Sequence, residues 1–292
     1  MARALGDVRA ARAVAAWLVD HPDLDPEGKV VRADGSPAGG RSVGRVRLDR
    51  LVDHLEGIPL LTELRSEQER LARRVQEVDD FHHVRTLGGA DVAYIGNRAF
   101  AAAVTLDAAS LEVLDVAERE LEVDFPYIPS YLAFRELPAI EAVVNGLKDK
   151  PDVLLIDGHG RLHPIRFGFA CYAGVTLDRP TIGIAKHPLV GKPVGPHRRE
   201  NEAVPIEIGG EVQGYAWIPP RASRAFYVSV GNRITLDTAL RIAQGATRDR
   251  YPEPLRVADR ISKEGKRKKN EERNASGKPA AMRTPAQGLQ GI

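Results

Sequence analysis

The sequence predicts an α/β protein in which a mixed sheet carries helices on its faces. Three observations lead there. The 292 residues are 43% hydrophobic and 28% charged, a balance that can bury a sizeable core. Apolar spacing changes from the helical three-and-four period to strand-like runs in the centre of the chain. Three adjoining strands are then followed by helix, strand, helix and strand, an order that suits parallel and antiparallel pairs in one sheet.

Residues 8–20, VRAARAVAAWLVD, place Val8, Ala11, Val14, Trp17 and Leu18 at helical spacing. A loop rich in Gly, Ser and Pro follows, and then a second short amphipathic stretch, RVRLDRLVDHLEGI. Residues 1–60 therefore read as a small helical extension without identifiable chemistry. LLTELRSEQERLARRVQEV predicts a long amphipathic helix over about 60–78, with Glu and Arg on its polar face. VAYIG (92–96) and AFAAAVTL (99–106) read as a hairpin turning at Gly96 and Asn97, and LEVLDVAEREL (111–121) as a third strand. A helix is expected over about 133–147. VLLIDG (153–158) is a short apolar run closed by glycine, as a buried strand requires. FGFACYAGVTLD reads as a helix and PTIGIAK (180–186) as a strand. After a polar loop, EVQGYAWI and AFYVSVG read as strands, and LDTALRIAQGA as a helix. From Lys263 onward the chain is charged and then rich in Gly, Pro and Ala, which predicts a disordered basic tail. The expected divisions are 1–60, 61–262 and 263–292.

Composition excludes several classes. A wholly disordered chain, a collagen and a coiled coil are ruled out, and no apolar stretch approaches the ~20 residues of a membrane span. Charges interrupt every apolar run of MARALGDVRAARAVAAWL, so no signal peptide is read there. The single cysteine, Cys171, lies in the apolar run FGFACYAGV. It reads as inert core in a protein of the reducing cytoplasm. The net charge of +2 is unevenly spread: eight basic and three acidic residues lie from Lys263 onward, leaving 34 basic against 37 acidic before it. Nucleic-acid affinity therefore cannot be read from overall charge; it would need a local patch or bridging cations.

Three acids stand where they can be presented: Asp91 at the opening of a strand, Glu136 at the head of a helix, and Asp157 at the end of VLLID. Converged carboxylates repel, so such a trio persists when a hard cation compensates it. Each also has an ordinary reading, as a strand-start cap, a charge offsetting a helix dipole, and a turn residue. DGHGRLHP concentrates Asp157, His159 and His163 in a glycine-flanked loop. It is compatible with a Zn-hydrolase loop or with a carboxylate–Mg²⁺ site beside one histidine, but no HxxxH helix or CxxC pair completes a zinc site. His82 and His83 read as a solvated turn. Lys186, ending a strand, is either a snorkelling surface lysine or a neutraliser of phosphate charge. Tyr127 stands between two prolines, either as a packed turn residue or as an aromatic tip held against a ligand.

Taken together, LRSEQERLARRV, GGADVAY, FPYIPSYLAFRE, PDVLLIDGHGRLHPIRFGFA, PTIGIAKHPLVGK and YPEPLRVAD resemble the endonuclease V family, in the family's order, from about Leu64 to Arg260. The resemblance implies a ribonuclease H-like mixed sheet. It implies metal carboxylates at Asp91, Glu136 and Asp157, with Mg²⁺ as cofactor and Mn²⁺ as a substitute. It assigns His163 and Lys186 to the catalytic set and Tyr127 to a strand-separating wedge. A pocket for the flipped base would fall near Ser130, Leu132, Gly158, Phe169 and Ala185. The implied reaction is hydrolysis of the second phosphodiester 3′ to a deaminated base such as deoxyinosine, leaving 3′-hydroxyl and 5′-phosphate ends. DNA is expected ahead of RNA, and a monomer is the family's default.

Two positions depart from the family pattern. Asn232, in VSVGNRITLD, stands where a histidine is usual, and Ser130 stands where the wedge loop most often has glycine. If Asn232 faces the metal, turnover falls, and a lesion-binding protein without turnover becomes the alternative. In that case Asp237 is either a substitute ligand or a helix cap. A phosphohydrolase of small substrates, built on DGHG alone, has no use for the PYIP wedge.

Overall fold

The computed structural model describes residues 10, 13–14, 61–128, 130–195 and 201–275. The expectations for the 1–60 extension otherwise lie outside the described residues, as do those for 276–292. The chain divides into two compact units: 1–67 with 126–131 and 280–292, and 68–125 with 132–279.

The larger unit is built on nine strands. They are β1 (Thr86–Ile95), β2 (Arg98–Asp107), β3 (Val113–Glu122), β4 (Val153–Asp157), β5 (Thr181–Ala185), β6 (Lys192–Pro193), β7 (Ala203–Ile208), β8 (Glu211–Trp217) and β9 (Phe226–Asn232). Their order across the sheet is β3-β2-β1-β4-β5-β9-β8-β7-β6. β1, β4 and β5 run parallel, with Ala90 opposite Ile156 and Asp157 opposite Ile184, and every other pair is antiparallel. The expected mixed sheet is therefore present, extended by β6 and β7. Those two strands lie in what the sequence presents as a polar loop; Pro205 and the charged residues around AVPIEI mask the alternation of Val204 and Ile206, which are buried.

Five helices are described: α1 (Leu61–Ala72), α2 (Leu132–Gly146), α3 (Phe169–Leu177), α4 (Leu236–Gly245) and α5 (Glu253–Ala275). α1 ends six residues before the expected 78. β4 explains the layering: Leu154 and Ile156 join a core with Ile140, Val143 and Val144 of α2 and Ala170 and Ala173 of α3. Val153 and Leu155 face the opposite core, with Ala239 and Ala243 of α4 and Leu255 and Ala258 of α5. A strand covered on both faces needs apolar residues at every position, which is why VLLI is unbroken.

α5 overturns the expectation of a disordered tail from Lys263, since residues 263–275 continue the helix that starts at Glu253. Leu255, Ala258, Ser262 and Gly265 recur at three- and four-residue spacing and form the helix's narrow sheet-facing stripe; Lys263–Asp259 and Arg267–Glu271 pairs clothe the rest. Gly89 of β1 makes this docking possible, because a Cβ there would stand 2.3 Å from the Pro254 backbone. Among the described residues no helix is long and apolar enough to cross a membrane.

In the smaller unit, the Tyr131 hydroxyl donates to the Leu61 carbonyl at 3.4 Å and the Arg65 guanidinium lies 5.7 Å from the Tyr131 ring centroid. Ile128 is buried, Tyr127 is 58% exposed, and Ser130 takes a left-handed φ of 72°. That backbone conformation is one a glycine adopts without strain, so serine holds it here at a steric cost.

Candidate active site

Sheet topology gathers the acids. Asp91 lies one residue beyond the Ala90–Ile156 pair, and Asp157 directly follows Ile156, so adjacent parallel strands present two carboxylates at one level. Glu136, in the second turn of α2, completes the trio: Asp91 and Asp157 both act on its ionisation. Lys186, immediately after β5, donates from Nζ to Asp157 Oδ2 at 2.8 Å. The four charged residues expected from the sequence therefore share one site at the carboxyl ends of β4 and β5, the customary ligand position in such sheets.

Their electrostatics are those of crowded anions. Burial raises the Asp91 carboxyl to about 6, and Asp157 and Asp259 add to the rise against a hydrogen bond from Ser262. Burial again leads at Glu136, with repulsion from Asp91 and Asp157, and lifts it to about 8 although Arg135 opposes. Burial works against the charged form of Lys186, but Asp157, Asp259 and Asp91 outweigh it and hold the ammonium above its usual range. Three carboxyl groups brought together are hard oxygen donors, of the chemistry that suits a divalent cation. Among the described residues, no group of three or more His, Cys, Asp and Glu stands already gathered as ligands.

α5 and the turn before it add partners that the sequence reading did not single out. Ser262, 2% exposed, donates to Asp91 Oδ2 at 2.5 Å. Asp259 acts on Asp91 and Lys186 and is held by Lys263 at 2.7 Å. The Tyr251 hydroxyl donates to Asp157 Oδ1 at 3.1 Å. Tyr94 of β1 lies beside the trio as well, its ring 4.2 Å from the Arg135 guanidinium. YPEPLRVAD contains Tyr251 and Asp259, while Ser262 lies three residues beyond it.

The remaining candidates are distributed around the site. Gly158 and Phe169 touch: a Cβ on Gly158 would lie 3.1 Å from the Phe169 ring. Leu132 packs against the cluster that contains Phe169, and Ala185 precedes Lys186 in the buried strand β5. His163 is 3% exposed in a tight turn, where its N–H donates to the Arg161 carbonyl and its carbonyl accepts from Arg166. Tyr127 and Ser130 belong to the smaller unit. His159 is pushed down to about 4 by burial, so it is a neutral imidazole near neutral pH. His82 and His83 are exposed, as expected of a solvated turn. Cys171 is fully buried with its thiol raised to about 12 by burial, which makes it inert.

Asn232 requires a correction. β9 runs antiparallel to β5 and pairs Asn232 with Thr181, three residues before the Ile184 that stands opposite Asp157. At ~3.3 Å per residue that is roughly 10 Å along the sheet, at its other end. There its Oδ1 accepts from the Gln76 N–H at 3.0 Å and its Nδ2 donates to the Gly174 carbonyl at 3.1 Å. Asn232 is a buried bracket between segments, not a group facing the carboxylates. Asp237 accepts from the Tyr215 hydroxyl at 3.1 Å, and the N-cap of α4 is Thr235 rather than Asp237.

The geometry agrees with the relatives of the chain. Residues 69–260 match the Endonuclease V family model. The chain is 43% identical over 216 residues to an endonuclease V of Thermofilum pendens, covering 73% of this chain and 90% of that protein. It is 42% identical to one of a Roseiflexus species, covering 70% and 93%. The crystal structure of endonuclease V from Streptomyces avermitilis superposes with a TM-score of 0.66 at 36% identity, covering 72% of this chain and 94% of that one. The Ciona intestinalis endonuclease V, in complex with DNA containing an inosine followed by a ribo-adenosine, gives 0.64 at 28% identity, covering 71% and 98%. With its family model, its relatives and its fold in agreement, the chain belongs to the endonuclease V family of nucleases.

Proposed function

We propose that this nuclease acts on nucleic acid containing deaminated bases and hydrolyses the second phosphodiester 3′ to the lesion. The observation that carries the reading is the convergence of Asp91, Glu136, Asp157 and Lys186 at one end of the parallel strands, with two carboxyls raised by burial and mutual repulsion. The Ciona relative bound to inosine-containing DNA supports the choice of lesion.

Asp91, Glu136 and Asp157 would hold Mg²⁺, or Mn²⁺ in its place, and the bound cation supplies positive charge for a phosphate oxygen and for acidifying a water. The protein's own groups account for the rest. Lys186 offsets charge that develops on the phosphate as the bond breaks. Without a cation the Glu136 carboxyl is raised to about 8, so it gives up its proton as the cation binds and loading of the site depends on pH. His163 is assigned to orienting or protonating a neighbouring group. Gly158, Phe169, Leu132 and Ala185 are assigned to one side of a base pocket. The exposed Tyr127 is suited to insert where the strands part, at a flipping cost of a few kcal/mol that is smaller for a mispaired base.

The test pairs cleavage with binding. Asp157→Ala is expected to abolish cutting of a deoxyinosine duplex while selective binding of that duplex over an undamaged one persists. Loss of binding in a folded variant contradicts the assignment of Asp157 to the metal.

A further inference from the structure

Tyr251 stands just before α5, outside every role assigned above, and touches both members of the Lys186–Asp157 ion pair. Asp157 has two carboxylate oxygens. Lys186 Nζ takes Oδ2 at 2.8 Å, and the Tyr251 hydroxyl takes Oδ1 at 3.1 Å. The same phenol ring presents its face to Lys186, whose Nζ lies 4.9 Å from the ring centroid. The ring itself is fixed. It meets Phe226 of β9 edge-on at 5.5 Å and 78°, Phe226 in turn meets Trp217 at 5.3 Å and 83°, and Pro252 stiffens the chain that follows.

We propose that Tyr251 is a positioning residue that sets the orientation of the Asp157 carboxylate through its hydroxyl and the place of the Lys186 ammonium through its ring. The two effects come from different parts of one side chain, so substitution can separate them. Facing a carboxylate oxygen at 3.1 Å, the phenol hydroxyl is the donor of the pair. A carboxylate held by two donors keeps one rotamer, with its remaining lone pairs aimed in a fixed direction. Orienting hydrogen bonds of this kind on metal-binding carboxylates are typically worth 10- to 100-fold in metal affinity or activity. The hydroxyl half of this inference rests on Asp157 serving as a cation ligand; the ring half does not.

The experiment uses the full chain and two variants, Tyr251→Phe and Tyr251→Leu. Phenylalanine keeps the ring against Phe226 and Lys186 and removes only the hydroxyl. For Tyr251→Phe, the Mn²⁺ concentration at the midpoint of the metal-induced rise in Tm is expected to increase about tenfold. kcat for deoxyinosine duplex cleavage is expected to fall similarly, with KM changed less than twofold. A role confined to packing leaves the Mn²⁺ midpoint where it was, and that result overturns the hydroxyl assignment. For Tyr251→Leu, labelling of Lys186 by an amine-reactive acetylating reagent, followed by mass spectrometry without any metal, is expected to accelerate at least threefold. Lys148 provides the reference lysine. An unchanged Lys186 rate overturns the ring assignment. If wild type shows no Mn²⁺-induced rise in Tm, the cation reading of the carboxylates fails and the hydroxyl assignment with it. The Lys186 labelling rates still decide the ring assignment in that case.

Discussion

Glu136→Gln gives the sharpest energetic test of the crowded-anion site. A glutamate raised from 4.5 to about 8 keeps its proton in the fold long after the unfolded chain has released it. Between those values the native state binds more protons, so metal-free stability falls as pH rises through the window, by up to ~1.4 kcal/mol per unit. From pH 5 to pH 7.5 the unfolded glutamate passes from mostly to fully ionised, while the folded one only begins to ionise. The difference amounts to about 3 kcal/mol. Glutamine has the same shape and no such window. Urea unfolding in EDTA at both pH values, for wild type and Glu136→Gln, forms a double difference in which titrating groups that do not interact with Glu136 cancel. The variant is expected to be more stable relative to wild type by about 3 kcal/mol at pH 7.5 than at pH 5. Saturating Mg²⁺ or Mn²⁺ is expected to close much of the gap by stabilising wild type alone. A gap independent of pH, or one that narrows toward pH 7.5, refutes the claim that Glu136 is forced to hold its proton.

Three further outcomes follow from the same geometry. Asn232→Ala leaves the Gln76 N–H and Gly174 carbonyl without their partner, and is expected to cost about 2 kcal/mol in urea unfolding without changing kcat; a large fall in kcat at full folding restores Asn232 to the active site. Gly160→Ala puts a Cβ 1.9 Å from the Val230 carbonyl oxygen, where backbone faces backbone, so roughly 3 kcal/mol or more of stability should be lost. Unfolding at wild-type urea concentrations contradicts that close approach. Ser262→Ala removes the hydrogen bond that restrains the Asp91 carboxyl, which then rises further above about 6. At sub-saturating Mg²⁺, where proton and cation compete for Asp91, the acid limb of the pH–rate profile is expected to move up by roughly half to one unit, and an unmoved limb separates Asp91 from the rate.

The parts of this fold legible in the sequence are those where burial leaves a simple pattern. VLLID is apolar at every position because α2 and α3 cover one face of β4 while α4 and α5 cover the other, and the acid that ends it lies where the strand leaves the core. What stayed hidden depends on long-range geometry. TLGGAD opens β1, yet its paired glycines carry no strand signature, since Gly89 exists to admit α5 at close range. α5 was concealed by its charge, because only a stripe of small residues meets the sheet and the rest is ion-paired helix surface. The motif containing Tyr251 and Asp259 was visible, but not which strands it would cross, so neither residue could be attached to a carboxylate. The direction of β9 decides whether Asn232 faces the carboxylates or the far end of the sheet, and no local spacing reveals it. Residue type and position leave Asp91, Glu136, Asp157 and Lys186 with ordinary alternatives, which the family resemblance narrows, and their gathering emerges only from the pairing of β1, β4 and β5 and the packing of α2.

Mapping the cut made by the wild-type protein tests the account most directly. An end-labelled duplex carrying one deoxyinosine is incubated with the full chain in Mg²⁺ and, separately, in Mn²⁺, beside an undamaged duplex. A single nick is expected at the second phosphodiester 3′ to the inosine, with 3′-hydroxyl and 5′-phosphate ends, present with either cation and absent in EDTA. Equal cutting of the undamaged duplex, or cutting that persists in EDTA, would contradict it.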